Sequence, residues 1–106
     1  MTILETVYNG RDNSVDLLLK ADGTAQNLSF VTRMRVMDKD GSWSVDSSTA
    51  PTAFDWTAAT TGKVELSFGG QSITAGTYIC YLVVYDASHT NGINWGEFVL
   101  EVIDDD

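Results

Sequence analysis

Few side chains in this sequence have the reactivity that catalysis requires. The chain of 106 residues contains one histidine, His89, and one cysteine, Cys80. A general base needs a nucleophile or an oriented substrate within reach, and the neighbours Ser88 and Thr90 cannot face His89 from one extended strand. A small hydrolase would need a nucleophile, a base and an orienting group, and the sequence contains no such set. We therefore predict no catalytic residues and a protein that is not an enzyme.

Acidic residues cluster in the run 38–46, DKDGSWSVD, which has the start of a calcium-binding loop. The helix-loop-helix calcium pattern also needs a third early oxygen ligand, a terminal glutamate and flanking helices, and these are missing. A single histidine and a single cysteine cannot supply a zinc cluster. We predict a hairpin turn beginning at Asp38, with no metal and no cofactor.

The tryptophans are the best candidates for recognition. Trp43, Trp56 and Trp95 either plug the open ends of a small sandwich or form a sugar-stacking platform or an interface anchor. Trp95 belongs to the polar segment 87–96, which we expect to be a loop, and loops at sandwich ends carry recognition. The candidate binding residues are Trp95, Asn94, Asn91, His89 and Trp43.

The charge balance argues against two classes of partner. With 15 acidic and 6 basic residues, the formal net charge is -9, which repels phosphate backbones and anionic lipids. We therefore predict neither nucleic-acid nor membrane binding. No apolar run reaches the roughly 18 to 20 residues of a membrane helix, and the N-terminus lacks signal-peptide features, so we expect a soluble protein made in the cytoplasm. The acidity indicates solubility or, alternatively, a basic partner.

The segment 73–86, ITAGTYICYLVVYD, is the element that should position everything else. Because side chains alternate along a strand, Tyr78, Cys80, Leu82 and Val84 point to one side and four further apolar or aromatic residues point to the other. Neither side is polar. This pattern predicts a central strand covered on both faces.

Other segments alternate apolar and polar residues between glycine-containing turns. In the segment 30–38, Arg33 and Arg35 alternate with apolar residues; they either pair with neighbouring acids or bind an anionic partner. The pattern predicts an all-β antiparallel sandwich of about seven strands, with one domain at 1–103 and an acidic tail at 104–106. Further strands are expected at 1–9 (an edge strand), 13–20, 42–46, 62–70 and 97–103.

The residues Ala75-Gly76-Thr77-Tyr78-Ile79-Cys80 resemble the penultimate-strand motif of immunoglobulin-like domains. In that motif a tyrosine two residues before the cysteine turns its hydroxyl onto an upstream backbone group. The first cysteine of the family pattern is missing, since Leu17 or Leu19 stands at its place. The resemblance therefore implies that Cys80 is a buried free thiol.

A series of short segments follows in a characteristic order along the chain: Asp22-Gly23-Thr24, Asn27-Leu28-Ser29, Val31-Thr32-Arg33-Met34, Phe54-Asp55-Trp56, Gly62-Lys63-Val64, Ile73-Thr74-Ala75-Gly76-Thr77-Tyr78, Val83-Val84-Tyr85-Asp86 and Asn91-Gly92-Ile93-Asn94-Trp95. Through these segments the whole chain resembles small bacteriophage proteins with an immunoglobulin-like sandwich that are encoded among virion structural genes. The resemblance implies a non-enzymatic structural or interaction module of a tailed-phage particle, at the capsid surface, the head-tail junction or the tail. Its partners would be other virion proteins or copies of itself, and it would be located in the virion after synthesis in the host cytoplasm. The alternative is a glycan-binding adhesion module that uses exposed tryptophans.

Overall fold

The computed structural model describes residues 4–21, 23–56 and 61–104. These residues form strands, turns and short 3₁₀ geometry, as at Pro51–Ala53, without any α-helix. The predicted all-β class is therefore confirmed. The strands are β1 (Leu4–Asn9), β2 (Val15–Leu18), β3 (Lys20–Ala21), β4 (Thr24–Ala25), β5 (Val31–Asp38), β6 (Ser44–Asp46), β7 (Phe54–Asp55), β8 (Lys63–Leu66), β9 (Gly76–Asp86) and β10 (His89–Asp104).

Two larger sheets make up the body of the protein, as expected for a sandwich, and β3 pairs with β4 in a separate two-stranded sheet. The five-stranded sheet has the order β1-β10-β9-β5-β6, and the three-stranded sheet has the order β2-β8-β7. The predicted edge position of β1 is confirmed. The prediction of an entirely antiparallel fold is wrong, because β1 pairs with β10 in parallel. After β1 the chain crosses to β2 in the other sheet, so β1 is not joined to its neighbour by a hairpin, the connection that makes paired strands antiparallel.

Alternating side chains from the two sheets meet in one core. In β5, Met34 and Val36 are buried, while Arg33 and Arg35 remain partly exposed. The same period of two holds in most strands predicted from the sequence, because only one side of each strand faces the other sheet. The largest fully buried side chains are Phe68, Leu19, Leu28, Met34, Leu66, Leu100, Val7, Val36, Val64 and Cys80.

Strand β9 is covered on one face only, which corrects the expectation that both faces would be buried. Cys80, Leu82 and Val84 are at most 4% exposed on the inner face. On the outer face Ile79 is 47% exposed, and the aromatic and aliphatic residues that follow it at alternate positions are half-buried. A two-layer sandwich packs each sheet against one neighbour, so an apolar outer side chain lacks a covering layer.

The segment 87–96 is not the loop that its polar composition predicted. Only Ala87 and Ser88 form the turn, and β10 begins at His89. The strand pairs with β9 with irregularities between His89 and Ile93 and between Asn94 and Gly96. Backbone pairing in a hairpin does not require apolar side chains, so an exposed strand extension and a loop share the same composition. At its other end β10 includes Asp104, the first residue of the predicted tail.

One glycine marks a close approach of two backbone segments. A Cβ atom at Gly69 would lie 2.0 Å from the carbonyl oxygen of Arg11 and 2.8 Å from that of Tyr8. At the neighbouring Gly70 a Cβ atom would meet nothing within 4 Å.

We therefore expect Gly69→Ala to lower the free energy of unfolding by about 1–3 kcal/mol or more, because a backbone must move to admit the methyl group. Gly70→Ala, its matched control, should change that free energy by less than about 1 kcal/mol. Urea denaturation of both variants measures the difference. Equal stabilities of the two variants would contradict the close approach.

Candidate functional site

The predicted binding residues do not form one cluster. Trp43 packs beside Tyr78, with their ring centroids 5.5 Å apart, whereas His89 contacts Asp86. Tyr78 and Asp86 are both in β9, and eight residues of strand span about 26 Å. Trp43 and His89 therefore lie toward opposite ends of the sandwich. Asn91, Asn94 and Trp95 follow His89 along β10.

The three tryptophans are all partly buried and pack against the core. Trp43 meets Phe68 and Tyr78 edge to face, at centroid distances of 6.4 and 5.5 Å. Its buried Nε1 atom has no hydrogen-bond partner among the described residues. Trp43 therefore packs its ring against the margin of the core, beside Phe68 and Tyr78.

His89 and Asp86 together close the hairpin between β9 and β10. Asp86 Oδ1 lies 2.8 Å from His89 Nδ1 and accepts hydrogen bonds from the backbone N–H groups of Ser88 (2.9 Å) and His89 (2.8 Å). The hydrogen bond from the His89 side chain is the main reason that the pKa of Asp86 lies below its ordinary value. Closing this turn is a sufficient explanation for the contact between the His89 and Asp86 side chains.

The acidic run forms the predicted hairpin turn. Asp38 is only 4% exposed, and its carboxylate accepts hydrogen bonds from the Ser42 hydroxyl and from the backbone N–H groups of Asp40 and Ser42. The Ser42 hydroxyl contributes most to lowering the pKa of Asp38. Among residues 4–21, 23–56 and 61–104, no group of three or more His, Cys, Asp or Glu side chains is placed to hold a metal ion.

Cys80 is the buried free thiol that the resemblance implied. It is fully buried in the core, and its Sγ atom lies 3.9 Å from the carbonyl oxygen of Tyr78. Burial, with a smaller effect of the nearby Asp38 carboxylate, raises the pKa of the Cys80 thiol to about 12. A thiol in this environment stays protonated and packs as a small apolar group.

The exposed side of the five-stranded sheet, here called the outer face, combines apolar and charged residues. Its centre is the outward row of β9. Cross-strand register places Met37 and Glu97 on either side of Tyr81, and Val99 beside Ile79. The outer face consists of Ile79, Tyr81, Val83 and Tyr85 of β9, Arg33, Arg35 and Met37 of β5, Lys39 after β5, Glu97, Val99 and Glu101 of β10, and Asp46 of β6.

An ion pair fixes one corner of the outer face. Arg33 Nε lies 2.9 and 3.0 Å from the two carboxylate oxygens of Asp46, and Arg33 Nη2 also contacts Asp46 Oδ2. The Arg33 guanidinium carbon sits 4.4 Å from the centroid of the Tyr85 ring. The bidentate hydrogen bond from Arg33 holds the pKa of Asp46 well below its usual range. The predicted pairing of arginine with a neighbouring acid is thus confirmed for Arg33.

A second ion pair crosses the apolar row. Lys39 Nζ lies 3.3 Å from Glu97 Oε1, and both side chains are more than half exposed. Lys39 follows β5 and donates its backbone N–H to the Ile79 carbonyl, whereas Glu97 lies opposite Tyr81 in β10. The two side chains therefore reach toward each other across β9 from its two sides.

A groove of about 600 Å³ lies beside β5, β7 and the end of β6. It is lined by the partly buried Trp56, by an edge of the buried Phe54 and by the polar residues Thr32, Ser47 and Ser48. The prediction of candidate binding residues did not include Trp56. Its place in a groove depends on how β5 and β7, which belong to different sheets, approach each other, and no local pattern encodes that approach.

Comparison with known protein families finds no matching family model, and comparison with curated proteins finds no match to this chain. In the part of the chain that the structure describes, no helix has the length and apolar character to cross a membrane.

The Arg33–Asp46 pair leads to a pH-dependent prediction. Because the folded-state pKa of Asp46 is lowered, the pair stabilises the fold above the ordinary pKa of about 3.8, and that contribution is lost as the pH falls below it. Asp46→Asn should therefore lower the free energy of unfolding by about 1.5–3 kcal/mol at pH 7, and the difference should shrink as the pH falls from about 4 toward 2.

The matched control is Asp16→Asn, which removes an exposed ion pair between Asp16 Oδ2 and Lys63 Nζ, 3.7 Å apart. This change should lower the free energy of unfolding by only about 0–1 kcal/mol. Urea denaturation across this pH range measures both variants. An Asp46→Asn difference that is the same at pH 7 and pH 2 would contradict the assignment.

Proposed function

We propose that this protein is a non-enzymatic structural or interaction module of a tailed-phage particle, at the capsid surface, the head-tail junction or the tail, which binds another virion protein or itself. The observation that carries the proposal is the apolar surface outside the core. Ile79 is 47% exposed on the outer face, and Phe30 is 79% exposed at one end of the sandwich. The row that begins with Ile79 on β9 is contiguous apolar surface, which favours a protein contact. Phe30 is a separate exposed apolar side chain, near the other end of that strand.

The strand order supports an immunoglobulin-like arrangement for the module. In that arrangement one sheet contains the strands G, F and C with an additional strand beside C, and the other contains B, E and D. The sheet orders β10-β9-β5-β6 and β2-β8-β7 match these two sets when β9 is strand F. Sandwiches of this kind frequently serve as binding modules, although a fold alone does not define a function.

A local feature of β9 supports the same arrangement. The Tyr78 hydroxyl donates a hydrogen bond of 2.5 Å to the backbone carbonyl of Thr74, four residues upstream. This is the contact that the resemblance implied for a tyrosine two residues before the cysteine, and it matches the tyrosine corner of immunoglobulin-like domains.

Phe30 provides an apolar anchor at one end of the module. It lies in the turn before β5, and the next residue, Val31, pairs with Asp86 at the end of β9. Phe30 therefore lies toward the end of the sandwich where the hairpin of β9 and β10 turns. An exposed aromatic ring beside a hairpin turn can enter a pocket of a partner at low cost in side-chain entropy.

The virion proposal predicts that purified particles contain this chain at a fixed ratio to the established structural proteins. Mass spectrometry of particles after two independent purification steps measures that ratio. Particles assembled with Phe30→Ser should contain at least tenfold less of the chain, whereas particles assembled with Leu18→Ser should contain the normal amount. Leu18 is a suitable control because it is 59% exposed on the other sheet. Absence of the wild-type chain from purified particles would refute the proposal.

The groove favours a second candidate, a glycan-binding adhesion module. Sugars stack on aromatic rings while their hydroxyl groups exchange hydrogen bonds with polar side chains, and the groove combines Trp56 with Thr32, Ser47 and Ser48. The site differs from the one predicted from the sequence, which was centred on Trp95.

A glycan array distinguishes these two sites. If the groove binds a glycan, Trp56→Ala should abolish the signal and Trp95→Ala should leave it, provided that circular dichroism shows both variants folded. A wild-type protein that gives no signal on the array would remove this candidate.

A further inference from the structure

We propose that the outer face binds the outer face of a second copy of this chain, with a two-fold axis parallel to β9. The inference deepens the proposed function and rests on it, because binding to itself is one of the forms that the function takes. Three properties of the outer face support it: its charge, the arrangement of that charge across the sheet, and its apolar centre.

The charge of the outer face differs from that of the whole molecule. The chain has 6 basic and 15 acidic residues, and half of the basic ones, Arg33, Arg35 and Lys39, belong to the outer face. They balance Asp46, Glu97 and Glu101 there. Two molecules with a net charge of -9 repel each other over most of their surfaces, whereas two neutral faces do not. A neutral face also offers no attraction to a strongly charged partner.

The charges are also separated across the sheet. The three basic residues lie on the β5 side of β9, where Asp46 of β6 neutralises Arg33, and Glu97 and Glu101 lie on the β10 side. The β5 side therefore keeps the two positive charges of Arg35 and Lys39, and the β10 side has the two negative charges of Glu97 and Glu101. A two-fold axis parallel to β9 places the β5 side of each copy over the β10 side of the other. A two-fold axis across the strands would instead stack like charges on each other. An isologous contact along β9 is therefore the complementary arrangement.

The centre of the outer face has the dimensions of a small interface. From Ile79 to Tyr85 the apolar row spans about 20 Å, and the four strands that carry the outer face, β10, β9, β5 and β6, span about 14 Å. This patch is smaller than the roughly 800 Å² per partner of a standard interface. We therefore expect a dimer that dissociates on dilution.

The Lys39–Glu97 pair provides the contact that changes on association. In one molecule the two side chains meet across the apolar row, and an exposed pair of this kind contributes little stability. In the proposed dimer Lys39 of each copy lies over the β10 side of the other, near Glu97 of that copy. The two Lys39–Glu97 pairs within the molecules are therefore replaced by two Lys39–Glu97 pairs between them. Because the side chains no longer meet across the apolar row of their own molecule, Ile79 and Tyr81 become accessible to the partner.

The first test compares equal changes on the two sheets. Ile79→Lys puts a charge in the apolar row of the outer face, where Ile79 is 47% exposed. Leu18→Lys puts a charge on the other sheet, where Leu18 is 59% exposed. Sedimentation velocity over a concentration series should show the wild type and Leu18→Lys forming dimers, and Ile79→Lys dissociating with a Kd at least tenfold higher. Equal dimer Kd values for the two variants, or a wild type that is monomeric at all concentrations, would overturn the inference.

The second test examines the direction of the axis. Lys39→Glu alone and Glu97→Lys alone each place like charges opposite one another in both contacts of a homodimer. Both variants should therefore dimerise at least fivefold more weakly than the wild type. An equimolar mixture should recover the wild-type affinity, because each contact then joins opposite charges. If the mixture stays as weak as the single variants, the proposed orientation is wrong.

These outcomes are separable from a failure of the proposed function. A monomer found at a fixed ratio in purified particles would leave the virion role intact and overturn the dimer. A dimer with the predicted variant pattern that is absent from particles would overturn the virion role and leave the dimer intact.

Discussion

The packing of one face of β9 against the second sheet is the constraint on which the rest of the structure depends. Cys80, Leu82 and Val84 lie in the dry layer between the sheets, and the neighbouring strands β5 and β10 must place their own apolar side chains on the same side. Because a strand presents alternate residues to opposite sides, this one contact decides which residues of five strands are buried and which reach solvent.

The outer face follows directly from that constraint. The outward side chains of β9, from Ile79 to Tyr85, are apolar or aromatic. In the described part of the chain, no third layer covers them. One charged residue beside them is held in place. Arg33 is fixed by Asp46 and by the Tyr85 ring, which reduces the side-chain entropy that a binding partner would otherwise have to overcome. This apolar centre, with an ordered ion pair at its margin, is the feature on which the proposed interface rests.

The candidate site could be predicted less well than the fold. Four of the predicted binding residues, His89, Asn91, Asn94 and Trp95, are close together in the sequence, and they follow one another along β10. Trp43 was grouped with them by residue type, but it packs at Tyr78 near the opposite end of β9. The groove at Trp56 and the balanced charge of the outer face depend on contacts between strands that are distant in the sequence, and therefore have no local signal.

The sequence by itself determined the all-β class, the inward residues of most strands, the hairpin turn at Asp38 and the buried thiol of Cys80. These features follow from alternation, from turn chemistry and from the presence of a single cysteine, which are properties of neighbouring residues. Only the tertiary structure decided that β1 runs parallel to β10, that β10 starts at His89, and that the outer side of β9 stays uncovered. Each of these depends on which distant strand lies alongside or above, because pairing partners and layers are chosen by packing over the whole chain.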